Sequence, residues 1–225
     1  MSSLTSSARA TLAKDLRVEW RSKDALNAML FFALLVVVIF SFAFDLTSQQ
    51  AREITGGLIW VAFLFSTTTA LNQSWARELR NHVLDGFRVS PAPANALFLG
   101  KVIGNYIFVL ILEALVGPLF IVFFNLRAIG NPSQLIWIFL LGTWALVVNG
   151  AFFAAMSLRT RSRELMLPLL LFPITIPALI AMVEATTAVL TGSSDPAANI
   201  RFLAVYDIVF TTLSLLLFET VLHAE

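Results

Sequence analysis

Four carboxylates stand inside runs of apolar residues: Glu113, Glu184, Asp207 and Glu219. A charge at the centre of a bilayer is unfavourable by about 2.5–3.5 kcal/mol even on the most lenient scale, so such residues carry function or satisfy a buried hydrogen bond. Glu113 is the deepest, in the run IFVLILEALVGPLF. It is a candidate for lining a substrate path, relaying protons or contacting a partner helix. A hydrogen-bonded structural carboxyl is the plainer alternative. Glu184 and Asp207 suit an outer vestibule or simple interface exposure, and Glu219 suits snorkelling to the inner interface.

Other chemistries are poorly supplied. The chain has no cysteine, which removes disulfides, thiolate metal sites and CXXC redox chemistry. Its two histidines, His82 and His223, lie outside the apolar runs, so no intramembrane imidazole is expected to hold a metal or haem iron. The phosphate-loop pattern G-x-x-x-x-G-K-[ST] is absent, and Gly100-Lys101 is only a fragment of it. If ATP drives anything here, a separate subunit binds it. With no nucleophile elbow, zinc spacing or catalytic pair, an enzyme is not expected. A formal net charge of +1 gives no reason to expect a nucleic-acid partner.

The elements that must position these residues are membrane spans. Of 225 residues, 58% are hydrophobic and 13% charged, about half the charged share of a soluble domain. Mean hydropathy is +0.84. Apolar segments near 25–44, 55–73, 97–124, 133–156, 165–190 and 201–222 are each long enough to approach or complete a crossing. The predicted fold class is an all-α polytopic membrane protein with six transmembrane helices in one domain, 1–225. The segment from Ala25 follows 24 polar residues and reads as a retained span rather than a signal peptide. Met1–Ser7 reads as disordered. Thr11–Asp24 reads as an amphipathic helix lying in the headgroup plane, with Lys14, Arg17 and Arg21 on one stripe and Leu12, Leu16 and Trp20 on another. The fifth segment carries Pro168, Pro173 and Pro177, which remove ladder hydrogen bonds and favour kinks. Its last part, Ala181–Leu190, is long enough to be a separate helix.

Lysine and arginine set the expected orientation. The N-terminal tail and the second and fourth gaps hold twelve, against three (Arg52, Arg127, Arg201) in the other gaps. Both termini are therefore expected on the cytoplasmic side. Trp60 and Trp137 would then mark the outer interface, and Trp20 and Trp75 the inner one.

The longest polar island, Ser74–Lys101, falls on that cytoplasmic side. Ser74 is placed to cap a short helix through Asp85, with Arg77, Glu78 and Arg80 exposed and Leu79, Val83 and Leu84 forming an apolar side. Asp85-Gly86 would end it, and Ser90-Pro91 precedes the next span. Such a helix can fit a groove on a cytoplasmic partner, with charge fixing its register. An ordinary basic loop is the alternative.

These blocks also carry a family resemblance. KDLRVEWRSKDALNAMLFFALLVVVIFSFAF, GGLIWVAFLFSTTTALNQSWAREL, LDGFRVSPAPANALFLGKVIGNYIF, RTRSRELMLPLLLFPITIPALIAMVEATTAVL and LLLFETVL occur in order from Lys14 to Leu222. Together they resemble the cytochrome c maturation protein B family (CcmB, haem exporter protein B). The resemblance implies an ABC-2-type permease with an N-terminal interfacial helix in residues 1–24 and a cytoplasmic coupling segment in 74–96. It implies the bacterial inner membrane, an ATP-binding CcmA-like subunit, CcmC-like and CcmD-like membrane subunits, and a periplasmic CcmE-like haem chaperone. Haem is then a candidate substrate rather than a bound cofactor, and a homodimer is compatible. The residues implied for coupling are Arg77, Glu78, Leu84, Gly86, Ser90 and Pro91, to which the helix reading adds Arg80. Gly100 and Lys101 also match the family block but fall at the start of the next span. The rival readings are an ABC-2 permease for lipid, polysaccharide or drug, a proton-coupled transporter using Glu113, and a structural scaffold for a haem lyase complex.

Overall fold

The computed structural model describes residues 4–43, 49–81, 83, 86, 92–126, 128–157 and 163–223. All regular structure among them is helical: α1 (Leu4–Ser22), α2 (Asp24–Ala43), α3 (Gln49–Arg80), α4 (Ala94–Phe123), α5 (Ser133–Ser157), α6 (Arg163–Thr191) and α7 (Ala197–His223). The last six are long and apolar enough to cross a membrane. In hydrocarbon each backbone amide needs an internal partner, and a continuous helix supplies one within the segment itself. The chain is thus a multi-pass membrane protein, as its apolar runs predict.

Helix ends follow local chemistry. The Asn131 side chain accepts from the Ser133 amide at 3.1 Å and opens α5. Asp195 does the same for the Ala197 amide at α7, also at 3.1 Å. Gly192 closes α6 in the left-handed region, φ +68°, with its amide on the Ala188 carbonyl.

Helix α5 is central, packing on α3, α4, α6 and α7, while α2 lies on α3 and α4. Small residues let the helices approach, as expected where lipid removes any hydrophobic drive between helices. A methyl group on Gly142 of α5 would lie 2.4 Å from the Trp60 ring of α3. That indole donates to Thr186 of α6 at 2.9 Å and stacks on Phe139. Trp60 is therefore fully buried, and Trp75 nearly so, whereas Trp20 and Trp137 are exposed. The aromatic-belt expectation changes to this extent: Trp60 and Trp75 face neighbouring helices rather than the surface, and of the two only the Trp60 indole N–H finds a buried acceptor among the described residues.

Three further expectations change. Leu4–Ser7 is helical rather than disordered, continuing α1 by a turn. Ala181–Leu190 is not a separate helix, since α6 runs unbroken through Pro168, Pro173 and Pro177. Two hydroxyls bind carbonyls along this proline-bearing stretch: Thr175 donates to Leu171 at 2.9 Å, and Tyr206 of α7 donates to Ile174 at 2.9 Å. Finally, α3 runs without interruption past Ser74 to Arg80. No new helix starts at Ser74, and the second span reaches well beyond its apolar run.

Both termini lie toward one end of the bundle. Phe218, near the end of α7, packs on Trp75 near the end of α3 and on Phe98 near the start of α4. At the opposite end, the Gly130 amide before α5 donates to the Val189 carbonyl of α6 at 2.9 Å.

Candidate functional site

Helix α1 is docked against α4 at the end shared by the termini. Its docking stripe is the buried Thr11 and Glu19 with the half-buried Asp15 between them, spaced four residues apart on one face. Gly100 and Gly104 of α4 receive this stripe. A methyl group on Gly100 would lie 2.6 Å from the Thr11 Cβ and 2.9 Å from the Ala8 carbonyl oxygen, so no side chain fits at this crossing. The apolar stripe lies beside it, with Leu12 close to Gly104. Leu16 and Trp20, with Ile107 and Ile111 of α4, edge a shallow apolar groove at the surface.

Charges on three helices meet where α1, α3 and α4 converge. The Lys101 ammonium, with 1% of its side chain exposed, lies 2.9 Å from Asp15 and 2.7 Å from Glu78. Lys14 shares the same Glu78 oxygen at 2.6 Å and reaches Asp15 at 3.2 Å. Arg77 forms a salt bridge with Glu19 and donates to the Ser22 hydroxyl at 3.2 Å. Three cations and three carboxylates thus balance. A buried ion cluster tolerates its desolvation only with such pairing and added hydrogen bonds. Those are present: Lys101 donates to the Ser74 hydroxyl at 3.1 Å, and Asn105 donates to the same oxygen at 3.4 Å. Lys101 also stands 5.5 Å over the Trp75 ring. A polar cavity of about 100 Å³ adjoins the cluster.

Glu19 has a second role at the α1–α2 corner. Its carboxylate accepts from the Leu26 amide at 3.3 Å, an orphan donor in the first turn of α2. Lys23 makes the corner with φ +57°, its amide on the Glu19 carbonyl. One carboxylate therefore ties the end of α1, the start of α2 and the end of α3.

The expected coupling residues divide on this geometry. Arg77 and Glu78 were expected to be exposed. Glu78 is 4% exposed, and both residues face α1, because the continuous α3 turns them inward. Arg80 and Leu79 are exposed at the tip of α3, and Gly86 is exposed beyond it. Leu84, Ser90, Pro91 and His82 lie outside the described residues. The sequence reading missed Asp15 and Glu19 altogether and left Lys101 without a role. A lysine inside an apolar run is itself a signal that a buried anion must meet it.

Burial opposes the charge on Lys14, but the Glu78 hydrogen bond and the nearby carboxylates outweigh it and hold its pKa above the ordinary 10.5. A raised folded-state pKa means the contribution is complete below 10.5 and fades as pH climbs through the higher folded value. Docking of α1 is expected to weaken in that alkaline window, and Lys14→Met should remove this pH dependence. Trypsin cleavage at Arg17 and Arg21, timed after brief alkaline exposure, reads both.

Away from the clamp, Glu113 on α4 is 7% exposed and accepts a hydrogen bond from Thr143 on α5. It lines a groove of about 420 Å³. Asp207 on α7 is equally buried, and neither of its oxygens is hydrogen-bonded among the described residues. Glu184 accepts from Asn199 at 3.4 Å on an exposed surface. Glu113, Glu184 and Asp207 are thus not gathered into one site. No cluster of three metal-ligating side chains occurs among the described residues.

Six candidate spans and an N-terminal helix pinned along the start of α4 by a neutral ionic clamp make this an α-helical polytopic membrane protein. The comparisons make this specific. The family described as CcmB protein matches residues 6–223. Heme exporter protein B of Rhodobacter capsulatus is 32% identical over 175 residues, covering 76% of this chain and 78% of that one. The Pseudomonas aeruginosa protein of the same name is 32% identical over 182 residues, 80% and 81% of the two chains. That of Paracoccus denitrificans is 30% identical over 196 residues, 87% and 89%. The chain belongs to the CcmB family.

Proposed function

We propose that this chain is the permease subunit of an ATP-driven haem exporter serving cytochrome c maturation. It sits in the bacterial inner membrane with both termini cytoplasmic. The observation that carries the reading is the likeness to proteins named heme exporter protein B across three quarters or more of both chains. The twelve-to-three distribution of basic residues supports the orientation. ATP is hydrolysed on a separate CcmA-like subunit. That subunit docks on the exposed tip of α3, at Leu79 and Arg80, and on the segment through Gly86, Ser90 and Pro91. Arg77 and Glu78 act from inside, tying that tip to α1 so that the two respond together. The proline-bearing α6 supplies a helix able to bend as α3, packed against it, moves. CcmC-like, CcmD-like and CcmE-like partners complete the pathway.

The test is genetic and spectroscopic. Removing the chain from a bacterium that assembles c-type cytochromes by this route should abolish their covalent haem, read on haem-stained gels. Restoring the chain beside an ATPase subunit that binds but does not hydrolyse ATP should leave the defect in place. Normal cytochrome c levels in either strain contradict the proposal.

A further inference from the structure

The groove beside Glu113 is built to hold something. It lies among α3, α4, α5 and α6, and of its fifteen lining residues only Glu113 and Thr186 have polar side chains. Thr186 already accepts from the Trp60 indole. One oxygen of Glu113 takes the Thr143 hydroxyl, while the other, Oε2, is buried and finds no partner among the described residues. Leaving such an acceptor without a donor in an apolar setting is unfavourable by about 1–3 kcal/mol, or more for a charged group. The groove is roomy at the same place. A methyl group added to Gly117, one turn further along α4, would meet no atom within 4 Å.

Three features define the occupant. Ile121 and Ile136 line the groove and are 55% and 61% exposed on the hydrocarbon-facing surface, so access is lateral, from the bilayer. Glu113 stands ten residues, about 15 Å, from the nearer end of α4, close to the middle of a ~30 Å hydrocarbon core. A charged head at that depth is disfavoured, whereas a neutral donor is not. No lysine, arginine or histidine lines the groove, so carboxylate and phosphate heads lack a counter-charge. We infer that this groove binds a neutral, hydroxyl-headed lipid, whose O–H donates to Glu113 Oε2 while its apolar body lies along α4 and α5.

The inference is independent of the ATPase and of haem, and its test uses neither. Native membranes holding the full chain would be labelled with a photoreactive long-chain alcohol or with its methyl ether, which lacks the donor. Labelled peptides are then mapped by mass spectrometry. The alcohol should label the 110–121 and 135–140 stretches roughly tenfold more than the ether, the preference one such hydrogen bond confers. Glu113→Leu should erase the preference. Gly117→Leu fills the room without touching Glu113 and favours helix, so it should lower labelling by both compounds. Should Glu113→Leu fail to insert, the alcohol-to-ether ratio and Gly117→Leu decide alone. Equal labelling by the two compounds overturns the inference. So does labelling unchanged by Gly117→Leu, or no labelling of these stretches because a partner helix fills the groove.

Discussion

Replacing Lys101 with methionine is expected to free α1 from the bundle. The ammonium is the one cation in the clamp that is essentially sealed from solvent, and it faces both Asp15 and Glu78. Methionine matches its length and packs against Trp75 but leaves two carboxylates crowded together. Breaking a buried pair by removing one partner costs about 3–5 kcal/mol, because the remaining charge is stranded. Asp15 sits midway along the docked stripe, so the loss falls on the α1–α4 crossing rather than on the spans. Trypsin should then cut at Arg17 and Arg21 faster by two orders of magnitude or more while the six spans stay protected. Replacing Asp15 and Glu78 with leucine in the same protein should recover most of the docking, since an apolar substitute for a whole buried cluster is often neutral or stabilising. Slow cleavage in the single variant would show that the cluster does not hold α1.

The second large effect belongs to Glu19 and Arg77. Arg77→Glu sets two carboxylates against each other where a salt bridge stood, at the point where α1, α2 and α3 are tied. Docking should weaken by about 3 kcal/mol. The exchanged pair, Glu19→Arg with Arg77→Glu, should recover part of this, with a coupling energy of about 1–3 kcal/mol in a double-mutant cycle. Recovery will be incomplete, because arginine at position 19 has no carboxylate to offer the Leu26 amide. On the proposed function, the single variant also lowers ATPase association although neither residue faces the partner. A coupling energy near zero would mean that Arg77 and Glu19 meet without mattering to each other.

Much of the architecture is legible in the chain because hydrocarbon leaves few choices. An apolar run of twenty or more residues has one way to satisfy its amides, so six spans can be counted before any contact is known. Asn131-Pro132-Ser133 announces the start of α5 through chemistry local to three residues. The clamp was not legible for a corresponding reason: its pairs join residues 58, 64 and 86 positions apart. Periodicity separates two stripes on α1 but does not say which one meets a neighbour. The two stripes read as a helix lying in the headgroup plane, and nothing local marks Asp15 and Glu19 as residues that dock. Ser74 misled in the same way. Its side chain reads as a cap, yet with Lys101 and Asn105 opposite, it serves as a mid-helix acceptor on a span that continues past it.

On the proposed function, α1 and the tip of α3 move as one body when the ATPase acts. The chain has no cysteine, so single labels can be placed at will. Spin labels at the exposed positions Trp20 on α1 and Leu79 on α3, each also paired with Trp137 at the opposite end, give three distances. They would be measured in the assembled complex with and without trapped ATP. The 20–137 and 79–137 distances are expected to change together while 20–79 stays constant. A 20–79 distance that shifts as much as the other two would contradict it.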